Sequence, residues 1–163
     1  MISVDCRFVC LARKGNAVND TILLLNGPNL NMLGRREPAC YGTHTLADVC
    51  ELAEREANRL GYLLDTFQTN HEGEMIDRIH GAIDRYVAIV INAGAWTHYS
   101  YALLDALAMF RGPVIEIHMT ALAERESFRH VSVIRPACAD WIDGLGIESY
   151  PAGVRLAVQH LQA

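Results

Sequence analysis

A doubly wound α/β domain built on a five-stranded parallel sheet is the architecture this chain predicts. Three observations predict it. Short, predominantly apolar runs recur at 21–25, 87–91 and 114–117, as expected of strands covered on both faces. Between them lie segments whose apolar residues repeat at helical spacing. Strand and helix alternate about five times, which calls for parallel strands joined by right-handed crossovers. The 163 residues correspond to about one domain, and no Pro-, Gly- or Ser-rich linker or internal repeat divides them.

The first strand is Thr21-Ile22-Leu23-Leu24-Leu25, ending at Asn26-Gly27-Pro28. Thr45 caps the first helix, with Asp48 three residues on as an imperfect capping box. Leu46, Val49, Leu52, Ala53 and Ala57 then share a face, and Gly61 ends the helix. Residues 62–67 read as the second strand, followed by a polar loop over 68–73 and a helix carrying Met75, Ile76, Ile79 and Ile83. The third strand spans 87–91, the third helix roughly 100–110, and the fourth strand 114–117. A short helix is expected over 120–129 and a weak fifth strand near 139–143. The last helix carries Ile147, Tyr150, Val154, Ala157, Val158 and Leu161. Residues 1–19 read as a poorly ordered extension ahead of a domain over 20–163. Arg7, Arg13 and Lys14 interrupt their apolar residues, which argues against a secretory signal.

Composition narrows function. A formal charge of −5 argues against general nucleic-acid binding. No apolar run approaches the ~20 residues that span a bilayer. An anionic small-molecule substrate is compatible only through a local Arg and His cluster. The five scattered cysteines, without a C-x-x-C pair, suit neither a disulfide framework nor a zinc site, so a reduced, cytoplasmic setting is expected.

In open parallel sheets ligands bind beyond the carboxyl ends of the strands, where chain order reverses. The loops after strands one, three and four should therefore carry the site. The first, residues 26–42, is long and lacks both phosphate-loop fingerprints. In it Tyr41 stands close to Arg35 and Arg36, and a guanidinium stabilises a phenolate, so Tyr41 is either a general base or a packing and lid residue. The loop over 92–100 offers Asn92 and His98, with small residues around Gly94 that let backbone approach a ligand. Glu116 and His118 project to one side of the fourth strand. A carboxylate in so apolar a segment needs a partner, and a histidine from the neighbouring loop is expected to supply it and gain basicity. Arg125 and Arg129, four apart, would share a helix face as an anion grip or as a surface pair matched by Glu124 and Glu126. A metal site from Glu116, His118 and His98 has no supporting ligand spacing, and the two arginines would repel a cation.

Taken together, N-G-P-N-L-N-x-L-G-R-R-E-P at 26–38, Y-G at 41–42, N-H-E-G at 70–73, I-N-A-G-A-x-T-H at 91–98, I-E-I-H at 115–118 and R-E-x-F-R-H at 125–130 resemble type II 3-dehydroquinate dehydratases. The resemblance runs from about residue 21 to the end. It implies a flavodoxin-like fold and dehydration of 3-dehydroquinate to 3-dehydroshikimate through an enolate, with no metal or cofactor. It implies Tyr41 as base, Arg36 holding it ionised, Asn29 at the enolate oxygen, and His98 as acid oriented by Glu116. Asn92, Gly94, His118, Arg129 and the amides of Met119 and Thr120 would bind substrate, and Arg125 would help close a lid. Asp105 would reach a neighbouring subunit's site in a homododecamer built from trimers. Thr120-Ala121 and Ala123 depart from the family pattern and touch substrate grip. They motivate a second reading, a non-catalytic paralogue serving as a binding or assembly module. A phosphate or nucleotide binder rests on fold class alone.

Overall fold

The apolar run after residue 20 becomes a central strand because both of its faces are covered. Residues 20–35 and 43–163 are described in the computed structural model. The expected extension over 1–19, Arg36 and Tyr41 lie outside the described residues. Five strands, β1 (Thr21–Asn26), β2 (Leu63–Gln68), β3 (Ala88–Asn92), β4 (Val114–Ile117) and β5 (Asp140–Ile142), form one sheet in the order β2-β1-β3-β4-β5. Every neighbouring pair is parallel. Among the described residues three α-helices, α1 (Leu46–Arg59), α2 (Glu72–His80) and α3 (Tyr101–Ala108), connect the first four strands, and α4 (Ser149–Gln162) follows β5.

Alternate residues of each central strand feed two separate cores. Ile22 and Leu24 of β1 and Val90 of β3 pack with Val49, Ala53 and Ala57 of α1 and with Tyr150, Val154 and Ala157 of α4. Leu23, Leu25, Ile89 and Ile91 face the other way, onto Met75 and Ile79 of α2 and Leu103, Ala106 and Leu107 of α3. Period-two geometry with helices on both sides is why these strands read as unbroken apolar runs.

Local signals act as read. Thr45 Oγ1 accepts the Asp48 N–H at 3.3 Å, and Asp48 Oδ2 accepts the Thr45 N–H at 2.7 Å, so aspartate closes the capping box despite its shorter reach. At the other end of α1, Gly61 takes φ +83°. Its N–H meets Asn58 O while the Tyr62 N–H meets Ala57 O, the paired bonds of a Schellman cap.

One expected element is corrected. Residues 120–129 form no single helix but two isolated turns, Leu122–Glu124 and Ser127–Arg129. Arg125 (ψ −176°) and Glu126 (ψ 144°) are extended and interrupt the helical ladder. Arg125 and Arg129 therefore do not share a helix face, and their convergence has another cause.

Candidate active site

The chain order reverses between β1 and β3, and the two loops leaving these strands pass in van der Waals contact. A Cβ at Gly27 would lie 2.4 Å from the Ala93 carbonyl oxygen, and Gly94 takes φ +57° against Pro28. Only glycine permits that approach. Asn29 adopts φ +65°, a left-handed conformation that asparagine tolerates better than most residues. Its N–H donates to Asn70 Oδ1 at 2.8 Å. Beneath these loops the buried Tyr150 hydroxyl donates to Asn26 Oδ1 at 2.9 Å and accepts from Asn92 Nδ2 at 3.3 Å. Asn92 Oδ1 in turn accepts the Gly94 N–H at 3.2 Å. One phenol from α4 thus ties the ends of both strands together. Burial, the larger influence, pushes the Tyr150 hydroxyl well above the ordinary phenol range, so it stays neutral.

Glu116 is fully buried at the end of β4. Its Oε1 accepts from His118 Nε2 at 2.8 Å, Thr97 Oγ1 at 3.0 Å and Ser132 Oγ at 2.8 Å. Its Oε2 meets Ser132 Oγ at 2.9 Å and Arg135 Nε at 3.2 Å. Burial alone would raise this carboxyl, but the His118 hydrogen bond and charge, then Ser132 and Arg135, outweigh it and hold it at about 2.

This corrects the expected partnership. Glu116 orients His118, two residues along the chain and just past the end of β4, and not His98. His98 Nδ1 instead donates to the Val131 carbonyl at 2.9 Å, an acceptor held in place by the Val133 N–H bonding Thr97 O at 2.8 Å. Burial draws the His98 imidazole below its ordinary value, and the Val131 carbonyl only partly offsets it. His98 is thereby disposed to be neutral, with Nε2 as an acceptor.

Because the folded carboxyl of Glu116 lies below its ordinary value near 4.5, its stabilisation is complete above the unfolded value and lost as pH falls towards 2. Wild type should lose on the order of 2 kcal/mol more unfolding free energy between pH 5 and pH 2 than Glu116→Gln does. Urea midpoints across that range measure it, and parallel slopes would contradict the assignment.

The segment after β4 is pinned from behind. His118 O accepts from Ser149 Oγ at 2.8 Å, Met119 O accepts the Gly146 N–H at 2.9 Å, and the Leu122 N–H donates to Asp143 Oδ2 at 3.2 Å. The N–H groups of Met119 and Thr120 have no partner among the described residues. Adjacent, fixed backbone donors of this kind form an anion-binding concavity. Arg125 Nη1 donates to Thr120 Oγ1 at 3.2 Å, and both arginines flank Glu126, with nitrogens 3.4 and 3.3 Å from Oε2. A shared carboxylate, rather than helical spacing, brings them together.

All of this converges on one cavity. It is lined by Asn29, Asn92, Gly94, His98, His118, Met119, Thr120, Arg125 and Arg129, with Pro28, Leu30, Leu33, Ala95 and Leu122 supplying apolar walls. A chain of net charge −5 thus gathers two arginines and two histidines in a single hollow, the local cluster that an anionic ligand requires. Two expected residues stand apart. Glu116 lies behind the lining, acting through His118, and Asp105 is exposed on α3 and does not line this cavity. Among the described residues no three His, Cys, Asp or Glu side chains converge on a metal position. Sequence reading missed Ser132, Arg135 and the Val131 carbonyl. Only their fold neighbours give them meaning, and V-S-V-I-R carries no periodic or motif signal of its own.

Fold and site define a doubly wound α/β protein whose topological switch point carries a cavity lined by two arginines and two histidines. The chain belongs to the dehydroquinase class II family, whose model matches residues 20–158. It is 50% identical over 143 residues to a 3-dehydroquinate dehydratase of Leptothrix cholodnii, covering 87% of this chain and 96% of that one. A namesake of Syntrophotalea carbinolica is 51% identical over 134 residues, covering 82% and 90%. Among solved structures, the type II dehydroquinase of Propionibacterium acnes superposes with a TM-score of 0.82 at 42% identity, covering 86% of this chain and 98% of that one. That of Butyrivibrio crossotus gives 0.81 at 39% identity, covering 89% and 99%.

Proposed function

We propose that this chain is a cofactor-free hydro-lyase that dehydrates 3-dehydroquinate to 3-dehydroshikimate by anti elimination through an enolate. The observation that carries the reading is one cavity, in a dehydroquinase class II chain, where an oriented imidazole lies with the Met119 and Thr120 amides, unpartnered among the described residues, and with Arg125 and Arg129. Breaking a C–H bond beside a ketone needs a base and a stabilised oxyanion, and a β-hydroxyl needs an acid to leave as water.

The roles follow from that chemistry. The substrate carboxylate sits on the Met119 and Thr120 amides, with Arg129 supplying charge and Arg125 held alongside through Thr120. Tyr41, kept ionised by Arg36, removes the proton from the carbon next to the carbonyl, and the electron pair moves onto oxygen. The Asn29 side chain, free of protein partners among the described residues, stabilises that oxyanion directly or through a water. Collapse of the enolate expels the β-hydroxyl, which His118 protonates from the ring nitrogen that Glu116 leaves free. Water departs and a conjugated enone remains. Tyr41 then holds the substrate's proton and His118 lacks one, so a net proton transfer between them resets the site.

His98 changes role in this account. With Nδ1–H committed to Val131, its Nε2 accepts a hydrogen bond from a substrate hydroxyl, beside Asn92. Assembly into trimers and then a dodecamer belongs to the same proposal, supported by Asp105 and Tyr101, one helical turn apart and both exposed on α3. So does a reduced cytoplasmic setting, in keeping with the free thiols of Cys50 and Cys138.

The full chain mixed with 3-dehydroquinate should raise the ultraviolet absorbance of a conjugated enone. Calorimetric binding without any absorbance change would replace this function with that of a non-catalytic binding module.

A further inference from the structure

Glu116 and Trp141 are register partners on β4 and β5, so their side chains leave the same face of the sheet. Arg135 lies across both. Its Nε is 3.2 Å from Glu116 Oε2, and its guanidinium carbon stands 4.5 Å over the Trp141 ring. The backbone N–H of Arg135 donates to Ser132 Oγ at 3.2 Å, and that same hydroxyl donates to the Glu116 carboxylate. Pro136 stiffens the turn that follows.

The geometry of this contact is informative. An arginine serving only as an ion pair would offer carboxylate its two-pronged fork. Here a single N–H reaches Glu116, while Nη2 is buried with no hydrogen-bond partner among the described residues. The Trp141 ring face beneath the guanidinium and the serine that holds the Arg135 backbone define where the side chain lies. The residue does not line the cavity. Its contacts are arranged to fix Oε2, which leaves Oε1 as the oxygen turned to His118.

We infer that Arg135, its backbone tied to Ser132 and its guanidinium stacked on Trp141, is a positioning residue that holds the Glu116 carboxylate in the rotamer needed to orient His118. The inference rests on the reading of His118 as proton donor, and it predicts an effect on turnover without one on substrate grip. In Arg135→Gln, kcat on 3-dehydroquinate should fall roughly tenfold, as misplacement of a catalytic group does, with KM within twofold of wild type. Arg135→Lys keeps the charge but not the planar stack, and should recover part of the loss.

A second readout needs no substrate. The hydrogen-bonded His118 Nε2–H proton should give a downfield resonance in the free protein, assigned by its absence in His118→Asn. It should broaden or vanish in Arg135→Gln and persist in Arg135→Lys. An Arg135→Gln protein that keeps the resonance, or one whose kcat stays within twofold of wild type, overturns the inference. Should Arg135→Gln fail to fold, Trp141→Leu removes only a half-exposed ring and should cost roughly threefold in kcat; no loss there overturns the inference equally. Wild-type protein whose resonance responds to Arg135 but which turns over no 3-dehydroquinate would remove the dehydratase reading and leave the clamp in place.

Discussion

Replacing Tyr41 by phenylalanine should lower kcat for dehydration of 3-dehydroquinate by at least roughly a thousandfold, the upper range for removing a positioned base, while leaving binding within a few-fold. The change deletes one oxygen and keeps the ring. A free phenol ionises near pH ~10, so at neutral pH it removes a carbon-bound proton only when a cation favours its phenolate, the part assigned to Arg36. The carboxylate grip is assigned to other loops of the cavity wall, at Met119, Thr120 and Arg129, so binding should survive. Enone absorbance at saturating substrate measures the first effect and titration calorimetry the second. Activity persisting in Tyr41→Phe would remove this residue from the base role.

The second large effect separates the two histidines of the cavity. His118→Asn should reduce kcat by roughly a hundredfold to ten-thousandfold, with little change in KM. His98→Asn should chiefly raise KM. The basis is the partner each ring has. His118 is hydrogen-bonded at 2.8 Å to a carboxylate held ionised down to about pH 2, which orients its ring. His98 faces a backbone carbonyl and is drawn towards neutrality by burial. A pattern in which His98→Asn loses kcat and His118→Asn loses only affinity would return the acid to His98.

The contrast between these histidines also shows how far residue order can be read. I-E-I-H placed Glu116 and His118 on one side of a strand, and the need of a buried carboxylate for a partner was evident from its apolar surroundings. The expected partner was a histidine of the neighbouring loop, but two histidines could meet that need and spacing alone does not choose between them. The choice depended on where Val131 lies, since its carbonyl occupies His98 and leaves Glu116 to His118. The loop over 120–129 is a similar case. Arg125 and Arg129 do face one cavity, but through Glu126 and two separated turns, because extended backbone at Arg125 and Glu126 cancels the helical spacing.

Residue order alone determined the sheet, its two covering layers and the edge at which the pocket opens. Those properties follow from hydrophobic period and from turn chemistry, each of which acts over a few neighbouring residues. It also carried the family's motifs, and with them the class of reaction. Only the folded chain decided the partnerships in and behind the pocket: Tyr150 joining Asn26 to Asn92, Ser132 and Arg135 closing on Glu116, and the amides of Met119 and Thr120 left unpaired among the described residues. Hydrogen bonds and ion pairs of this kind join groups distant in sequence, and their short range makes them depend on positions to within tenths of an ångström, which packing of the whole domain sets.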